Sequence, residues 1–330
     1  MIFDPAVLAL LSGSFLVVTI LLYASWYGIQ ILIRWDIRSG SQLQLGLERR
    51  TYLISTIMAY ALGFQLLSLF LFVCTVDRLS SLFPGAMCAA GVLNVNPWGY
   101  PVLILKIVNF LVAGVWLIIN STDNSACDYP LIKKKYLLLL PITALICLEA
   151  ALQTSYFLRL KPDIITSCCG ALFSAASPGA ARIVVLPWKP VAASFYLAMA
   201  LTVATGVFSY PKGKGAYLFS LSSSVLFGVS IVALIDYLSP YFYELPAHHC
   251  PFCILHREYK FVGYPIYLAL LTGGATGLGI GAISPLSSVK SLQQTIPKIR
   301  RELTLICLSS WLALFAISAW GILFSNLRMD

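Results

Sequence analysis

Long apolar runs recur along the whole chain, and short polar stretches separate them. The runs are rich in Leu, Ile, Val and Phe and reach about 20 residues or more, the length that crosses a hydrocarbon core of about 30 Å. They are continuous, whereas the strands of a membrane barrel alternate. The pattern predicts an all-α, polytopic membrane protein with eight transmembrane helices, at residues 6–33, 53–76, 100–120, 136–158, 190–210, 217–238, 264–284 and 304–325.

The composition agrees with this class of protein. Hydrophobic residues make up 59% of the chain and charged residues 11%, and the mean hydropathy is +0.86. The opening Met1-Ile2-Phe3-Asp4-Pro5 lacks the basic segment of a signal peptide, so the first run is predicted to remain as a transmembrane helix. The net charge of +9 is interpreted as a topology signal, and no nucleic-acid partner is expected.

Lysine and arginine are divided unequally between the two sets of loops. Thirteen lie on one side and eight on the other, while Lys106 lies inside a span. Because loops rich in Lys and Arg stay in the cytoplasm, we predict a multi-pass protein of a cell inner membrane with both termini extracytoplasmic. The richer side carries Arg34, Arg38, Arg49, Arg50, Lys133, Lys134, Lys135, Lys212, Lys214, Lys290, Lys298, Arg300 and Arg301.

A Gly-Tyr-Pro triplet opens the third predicted span and recurs at the start of the seventh. Gly99-Tyr100-Pro101 and Gly263-Tyr264-Pro265 lie 164 residues apart, and Cys88 and Cys253 precede them at nearly equal distances. We predict two tandem four-helix halves in parallel orientation, related by an axis along the membrane normal. The alternative is that Pro and Tyr simply suit a helix start at the membrane interface. The predicted halves are residues 1–163 and 164–330.

All three histidines of the chain lie around a Cys-x-x-Cys pair between the sixth and seventh spans. Imidazole and thiolate bind borderline and soft metals, and Cys-x-x-Cys pairs also form reversible disulfides. Two chemistries therefore stay open, the binding of zinc or copper and thiol–disulfide exchange. The candidate metal ligands are His248, His249, Cys250, Cys253 and His256.

Other outer loops also carry cysteine, as expected for an oxidising compartment. Cys88 lies before the third span, and the vicinal residues Cys168 and Cys169 lie before the fifth. Vicinal cysteines rarely pair with each other, because the ring is strained. We predict that these segments converge, so that the candidate catalytic or relay thiols are Cys250, Cys253, Cys88, Cys168 and Cys169. Cysteines within spans are predicted to be small apolar packing residues, namely Cys74, Cys147 and Cys307.

No haem ligand is recognisable in the sequence. Covalent attachment of a c-type haem requires His directly after the second cysteine, where Ile254 stands. A b-type haem requires an axial ligand within the membrane, and no predicted span holds a histidine. Haem is therefore not expected as a cofactor.

The segment Cys250-Pro251-Phe252-Cys253 at the predicted outer surface, with a partner cysteine in another loop, resembles the quinone-coupled membrane thiol oxidoreductases of the bacterial disulfide-forming and vitamin-K-epoxide-reductase type. Those proteins use a four-helix bundle with Cys-x-x-Cys at the outer membrane surface. The resemblance covers these four residues and the partner thiol, and it implies a quinone partner. The eight spans, the outward termini and the added histidines depart from that pattern.

Two charged residues lie inside neighbouring predicted spans, Lys106 in the third and Glu149 in the fourth. The two helices run antiparallel, so both side chains are expected at a similar depth in the outer half of the membrane. Charges in a membrane are costly and pair with each other or line a polar cavity. One interpretation is a structural ion pair, and the other is a proton or ligand path below the outer site.

The sequence thus predicts an integral inner-membrane protein with an outward-facing Cys/His site that handles electrons or a soft metal ion. It would serve a periplasmic redox or metalloprotein-maturation pathway, and its enzymatic form would be a membrane thiol/quinone oxidoreductase. Beyond the lipid bilayer, the expected partners are a periplasmic redox protein or metallochaperone and other membrane subunits. The alternative is a non-catalytic subunit or transporter of a larger respiratory or transport complex, which the repeat and the lack of a soluble catalytic domain favour.

Overall fold

The structure is a computed structural model that describes residues 3–36, 41–126, 128–161, 187–212 and 215–328. Over these residues the chain is helical and contains no strand. Eight helices in the described part are long and apolar enough to cross a membrane, with mean hydropathies of 1.6 to 2.5. The predicted all-α fold with eight long apolar helices is therefore confirmed. The orientation in the membrane and the tandem halves remain predictions.

The long helices match the predicted spans closely. Two short helices are additional, one in a loop and one that extends a long helix. Helix α3 is a single short helix between α2 and α4, and α7 continues through a π-helical turn, Leu234–Leu238, into α8. The helices are α1 Pro5–Arg34, α2 Gln42–Leu79, α3 Ala89–Leu93, α4 Gly99–Asn124, α5 Ile132–Leu158, α6 Trp188–Lys212, α7 Ala216–Ala233, α8 Ser239–Tyr243, α9 Gly263–Ile283 and α10 Thr295–Leu323.

Local sequence signals account for several helix starts. The Asp4 carboxylate accepts a hydrogen bond of 2.9 Å from the Ala6 amide, and Pro5 occupies the first turn of α1, where its missing N–H is not needed. Both Gly-Tyr-Pro triplets open a helix, α4 at Gly99 and α9 at Gly263. A proline in the first turn fixes the backbone in a helical conformation, so each triplet defines where its helix begins.

The chain forms two compact units. In the first unit α5 packs along both α1 and α4, around a buried core that includes Leu21, Met58, Trp116 and Tyr136. In the second unit α6 packs along α7. The first unit consists of Met1–Thr75, Asn96–Leu160 and Ala282–Ile299, and the second of Val76–Val95, Lys161–Gly281 and Arg300–Asp330.

A glycine stripe on α9 lets other helices of the second unit approach closely. Gly273, Gly277 and Gly281 recur every four residues, a spacing that predicts a smooth face for helix contact. The structure confirms this packing: a Cβ added at Gly273 would lie 2.7 Å from the Trp311 ring of α10, and one at Gly277 would lie 2.7 Å from Cβ of Ser223 on α7. The stripe therefore fixes how α7, α9 and α10 contact each other.

Replacing Gly273 by alanine is expected to destabilise the protein by about 1–3 kcal/mol, because the Trp311 ring must shift to accept the new methyl group. Thermal unfolding in detergent measures the loss. The matched control is Gly228→Ala on α7, where an added Cβ meets nothing within 4 Å and the substitution is expected to be neutral or slightly stabilising. Equal melting temperatures for the two variants would contradict the packing role.

Candidate metal centre

Two polypeptide segments of the second unit carry the thiols of the candidate site. Cys88 has an extended backbone and immediately precedes α3. Cys250 and Cys253 lie between α8 and α9, where Cys253 opens a short 3-10 turn that ends at Leu255. Cys88 and Cys250 are 162 positions apart in the sequence, so only the tertiary structure brings them together.

The three thiols form one buried cluster. The Sγ atoms of Cys88, Cys250 and Cys253 all lie within 4.8 Å of one another, and Cys88 Sγ lies 3.4 Å from Cys250 Sγ. This separation is a hydrogen-bond contact, far longer than the roughly 2.05 Å of a disulfide. Cys88 and Cys250 are fully buried and Cys253 is 7% exposed. The cluster could hold a metal ion.

Tyrosine hydroxyls fix the backbone that carries the Cys-x-x-Cys pair. Tyr243, at the end of α8, donates a hydrogen bond to the Cys250 carbonyl, and Tyr267, in the first turns of α9, donates to the Pro251 carbonyl. At Gly263 an added Cβ would lie 2.8 Å from the Leu255 side chain, so the loop lies directly against the start of α9. The positions of both cysteines therefore depend on the two helices that flank the loop.

One oxygen of Asp77 connects the two segments. Asp77 Oδ1 accepts a hydrogen bond of 3.0 Å from the amide of Ala89, the residue after Cys88. The same oxygen lies 3.0 Å from Nε2 of His256, three residues after Cys253. The carboxylate thus holds both thiol-bearing segments at the end of α2. Sequence reasoning missed Asp77, because an acid at a helix end gives no signal of its distant partners.

The same contact alters the acidity of His256. Partial burial by itself lowers the pKa of His256, but the hydrogen bond and negative charge of Asp77 oppose it. With smaller contributions from Cys88 and Glu258, the pKa of His256 lies above its ordinary value. The contact with Asp77 therefore stabilises the protonated ring more than partial burial destabilises it.

The histidines of the loop lie around the thiols in different environments. His249 Nδ1 lies 3.2 Å from the Ile235 carbonyl in the π-helical turn, and the His248 ring packs edge to face on Tyr243 with centroids 4.4 Å apart. Within the described ranges, the side chains whose ligand atoms come within 4.8 Å of one another at this site are the three cysteines. Ligation by His248, His249 or His256 remains a prediction.

The remaining predicted cysteines divide into two groups. Cys168 and Cys169 lie outside the described residues, so the predicted convergence is observed for Cys88 with Cys250 and Cys253. Within the membrane helices, Cys307 is fully buried and its Sγ lies 3.4 Å from the Gly273 carbonyl. Cys74 and Cys147 are half-buried, which suits a role in packing.

The intramembrane pair predicted from the sequence lies in the first unit. Lys106 Nζ and Glu149 Oε1 are 2.7 Å apart, and both side chains are buried. Lys106 also donates to Ser68 at 2.7 Å, while Gln65 and Asn109 each donate to Glu149 Oε2 at 2.6 Å. The pair is thus surrounded by hydrogen-bonding partners from α2, α4 and α5.

A second buried ion pair in the same unit was not predicted. Lys135 Nζ lies 2.8 Å from Asp123 Oδ2, with both side chains fully buried, and it donates to Ser55 and Asn120. Lys135 was expected among the cytoplasmic loop cations, but it lies in the first turn of α5 and faces the interior. It therefore does not contribute as a solvated loop charge.

Apolar side chains separate the two ion pairs along the helices. On α4, Ala113 and Trp116 are buried between Asn109 and Asn120, and on α5 Leu139, Ile142 and Ile146 are buried between Lys135 and Glu149. Thr143 is also buried there, with its hydroxyl 2.7 Å from Ser25 Oγ. The structural ion pair and the proton or ligand path therefore both remain predictions.

Comparisons with protein-family models, curated proteins and solved structures returned no match for this chain.

Replacing Asp77 by asparagine is expected to lower the pKa of His256, because the neutral amide removes the negative charge beside the imidazole. Stability from the pair is fully present below the ordinary histidine pKa of about 6.5 and is lost as pH rises through the raised pKa. Nuclear magnetic resonance titration of labelled histidine measures the change, with His256→Gln for assignment and Glu302→Gln as a surface control. An unchanged titration would show that Asp77 does not act on His256.

Lys106→Met is expected to destabilise the protein by about 3–5 kcal/mol, because it leaves the Glu149 carboxylate buried and unpaired. The double variant Lys106→Met with Glu149→Gln is expected to lose less than the sum of the two single losses. Unfolding in detergent gives these values, and Lys134→Met, at an exposed position, is the control. Additive losses would indicate that the two side chains are not coupled.

Proposed function

We propose that this chain is an integral membrane protein that binds a soft metal ion, copper or zinc, through the thiolates of Cys88, Cys250 and Cys253. The observation that carries the proposal is the approach of three buried sulfurs from two distant segments to within 4.8 Å of one another. Thiolates are the preferred protein ligands of such ions. A lone structural cysteine needs no such neighbours.

The spacing of the sulfurs suits a metal ion. Three sulfurs bound at about 2.3 Å around one ion lie about 4 Å apart when the ion is in their plane. The 3.4 Å contact of Cys88 with Cys250 and the 4.8 Å upper limit of the cluster bracket that spacing. Binding would therefore require the side chains to move by about 1 Å, while the contacts of Asp77, Tyr243 and Tyr267 hold the backbone in place.

The proposed side of the membrane indicates which partner would exchange the metal ion. The excess of Lys and Arg in the opposite loops favours an extracytoplasmic position for these segments, where copper and zinc enter secreted and membrane metalloproteins. The partner would be a soluble metallochaperone or apo-protein that exchanges the ion by thiolate substitution. Cys253 would be the entry point for such a partner, because it alone of the three residues retains some exposed surface.

Thiol–disulfide exchange is the second candidate, and the 3.4 Å contact between Cys88 and Cys250 favours it. Oxidation would join the two sulfurs and release two protons and two electrons, and a quinone that takes up both would leave as the quinol. Burial of the three thiols restricts access by a protein disulfide to the same degree as access by a metallochaperone. Counting thiols before and after reduction, with mapping of any Cys88–Cys250 disulfide, distinguishes this candidate.

The purified protein is expected to bind a stoichiometric amount of copper or zinc, measured by elemental analysis after dialysis. Substituting a ligand should weaken binding by more than the roughly 10- to 100-fold typical of outer-shell partners, so Cys88→Ser, Cys250→Ser and Cys253→Ser should each lose the metal. Cys147→Ser, in the middle of α5, is the matched control and should keep it.

Two results would contradict metal binding. One is a wild-type protein that remains metal-free in the presence of both ions. The other is equal metal retention by the control and by all three loop variants.

A further inference from the structure

The donor atoms at the proposed centre are all sulfur. Among the described residues, the ligand-bearing side chains gathered there are Cys88, Cys250 and Cys253. No carboxylate belongs to this group in that part of the chain, and Asp77 already binds Ala89 and His256. The donor set therefore offers three thiolates to one ion.

The imidazoles that would complete a four-coordinate site are directed elsewhere. His256 uses Nε2 at the Asp77 carboxylate and His249 uses Nδ1 at the Ile235 carbonyl. The His248 ring packs edge to face with the Tyr243 ring. A histidine that binds a metal often holds a carboxylate or carbonyl with its other ring nitrogen, so these contacts alone do not exclude ligation. No ring nitrogen of the three histidines, however, belongs to the group of ligand atoms that lie within 4.8 Å of one another, and the rings therefore belong to the wall around the cluster.

Solvent is also a poor source of a fourth ligand. Cys88 and Cys250 are fully buried residues, and Cys253 is 7% exposed. The nearby hydroxyls of Tyr243 and Tyr267 are oriented by donation to the backbone carbonyls of Cys250 and Pro251. Zinc sites with three protein ligands keep water in the fourth position, and this enclosure disfavours such a water.

We infer that the cluster is a three-coordinate, all-sulfur site for monovalent copper, and that it discriminates against zinc. Copper(I) is a soft ion that thiolates select, whereas zinc in protein sites is almost always four-coordinate. This inference rests on the proposed metal-binding function and narrows it to one ion. The histidines then act as positioning residues that hold the loop and do not bind the ion.

X-ray absorption spectroscopy of the wild-type protein, loaded anaerobically with copper(I), tests the coordination directly. The expected spectrum contains three sulfur scatterers and no nitrogen scatterer. His249→Gln and His256→Gln are expected to leave that spectrum unchanged, Cys88→Ser to lose the bound copper, and Cys147→Ser to have no effect. Competition between copper(I) and excess zinc(II), each with a chromogenic chelator, is expected to leave copper bound.

The outcomes separate this inference from the proposed function. A nitrogen scatterer that disappears in a histidine variant, or displacement of copper by zinc, would overturn the three-sulfur copper site while leaving metal binding in place. A wild-type protein that binds neither ion would overturn the proposed function itself. The wild-type spectrum decides the matter even if Cys88→Ser does not fold.

Discussion

The candidate site depends on one carboxylate oxygen that serves two segments far apart in the chain. Asp77 Oδ1 holds the amide after Cys88 and the ring of His256 beyond Cys253, and the thiols meet between these two attachment points. Hydrogen bonds to charged groups are roughly twice as strong as neutral ones. Because both segments bind the same carboxylate, this contact limits how far they can separate.

The membrane fold could be predicted from the sequence, because the length of an apolar run decides whether a helix can cross a bilayer. All eight long helices were found in this way, with boundaries displaced mainly where polar residues continue a helix, as at Gln42 of α2. Lys135 was misplaced for a related reason. A lysine at the end of an apolar run looks solvated, and only the partner Asp123, on a different helix, shows that it is buried. Sequence order does not contain that contact.

The chemistry of the site was predictable in part. The clustering of histidine around Cys250 and Cys253 predicted the location of the site, and the repeated cysteine spacing before Gly-Tyr-Pro indicated that Cys88 belongs to it. The distribution of roles within the site was not predictable. Sequence proximity suggested that His248, His249 and His256 share a metal with the cysteines, whereas their orientation depends on Tyr243, the Ile235 carbonyl and Asp77. Such contacts depend on backbone directions that a list of residue types does not specify.

The π-helical turn Leu234–Leu238 makes the geometry of the thiols sensitive to helix length. A π turn contains one residue more than the α turn that it replaces, and each residue rotates an α-helix by about 100°. Removing one residue there would let α7 run on as a regular α-helix and would turn α8 so that Tyr243 no longer faces the Cys250 carbonyl. It would also move the Ile235 carbonyl away from the His249 ring. A deletion of one residue in this turn, which contains no cysteine, would thus change the positions of the sulfurs by rotating α8.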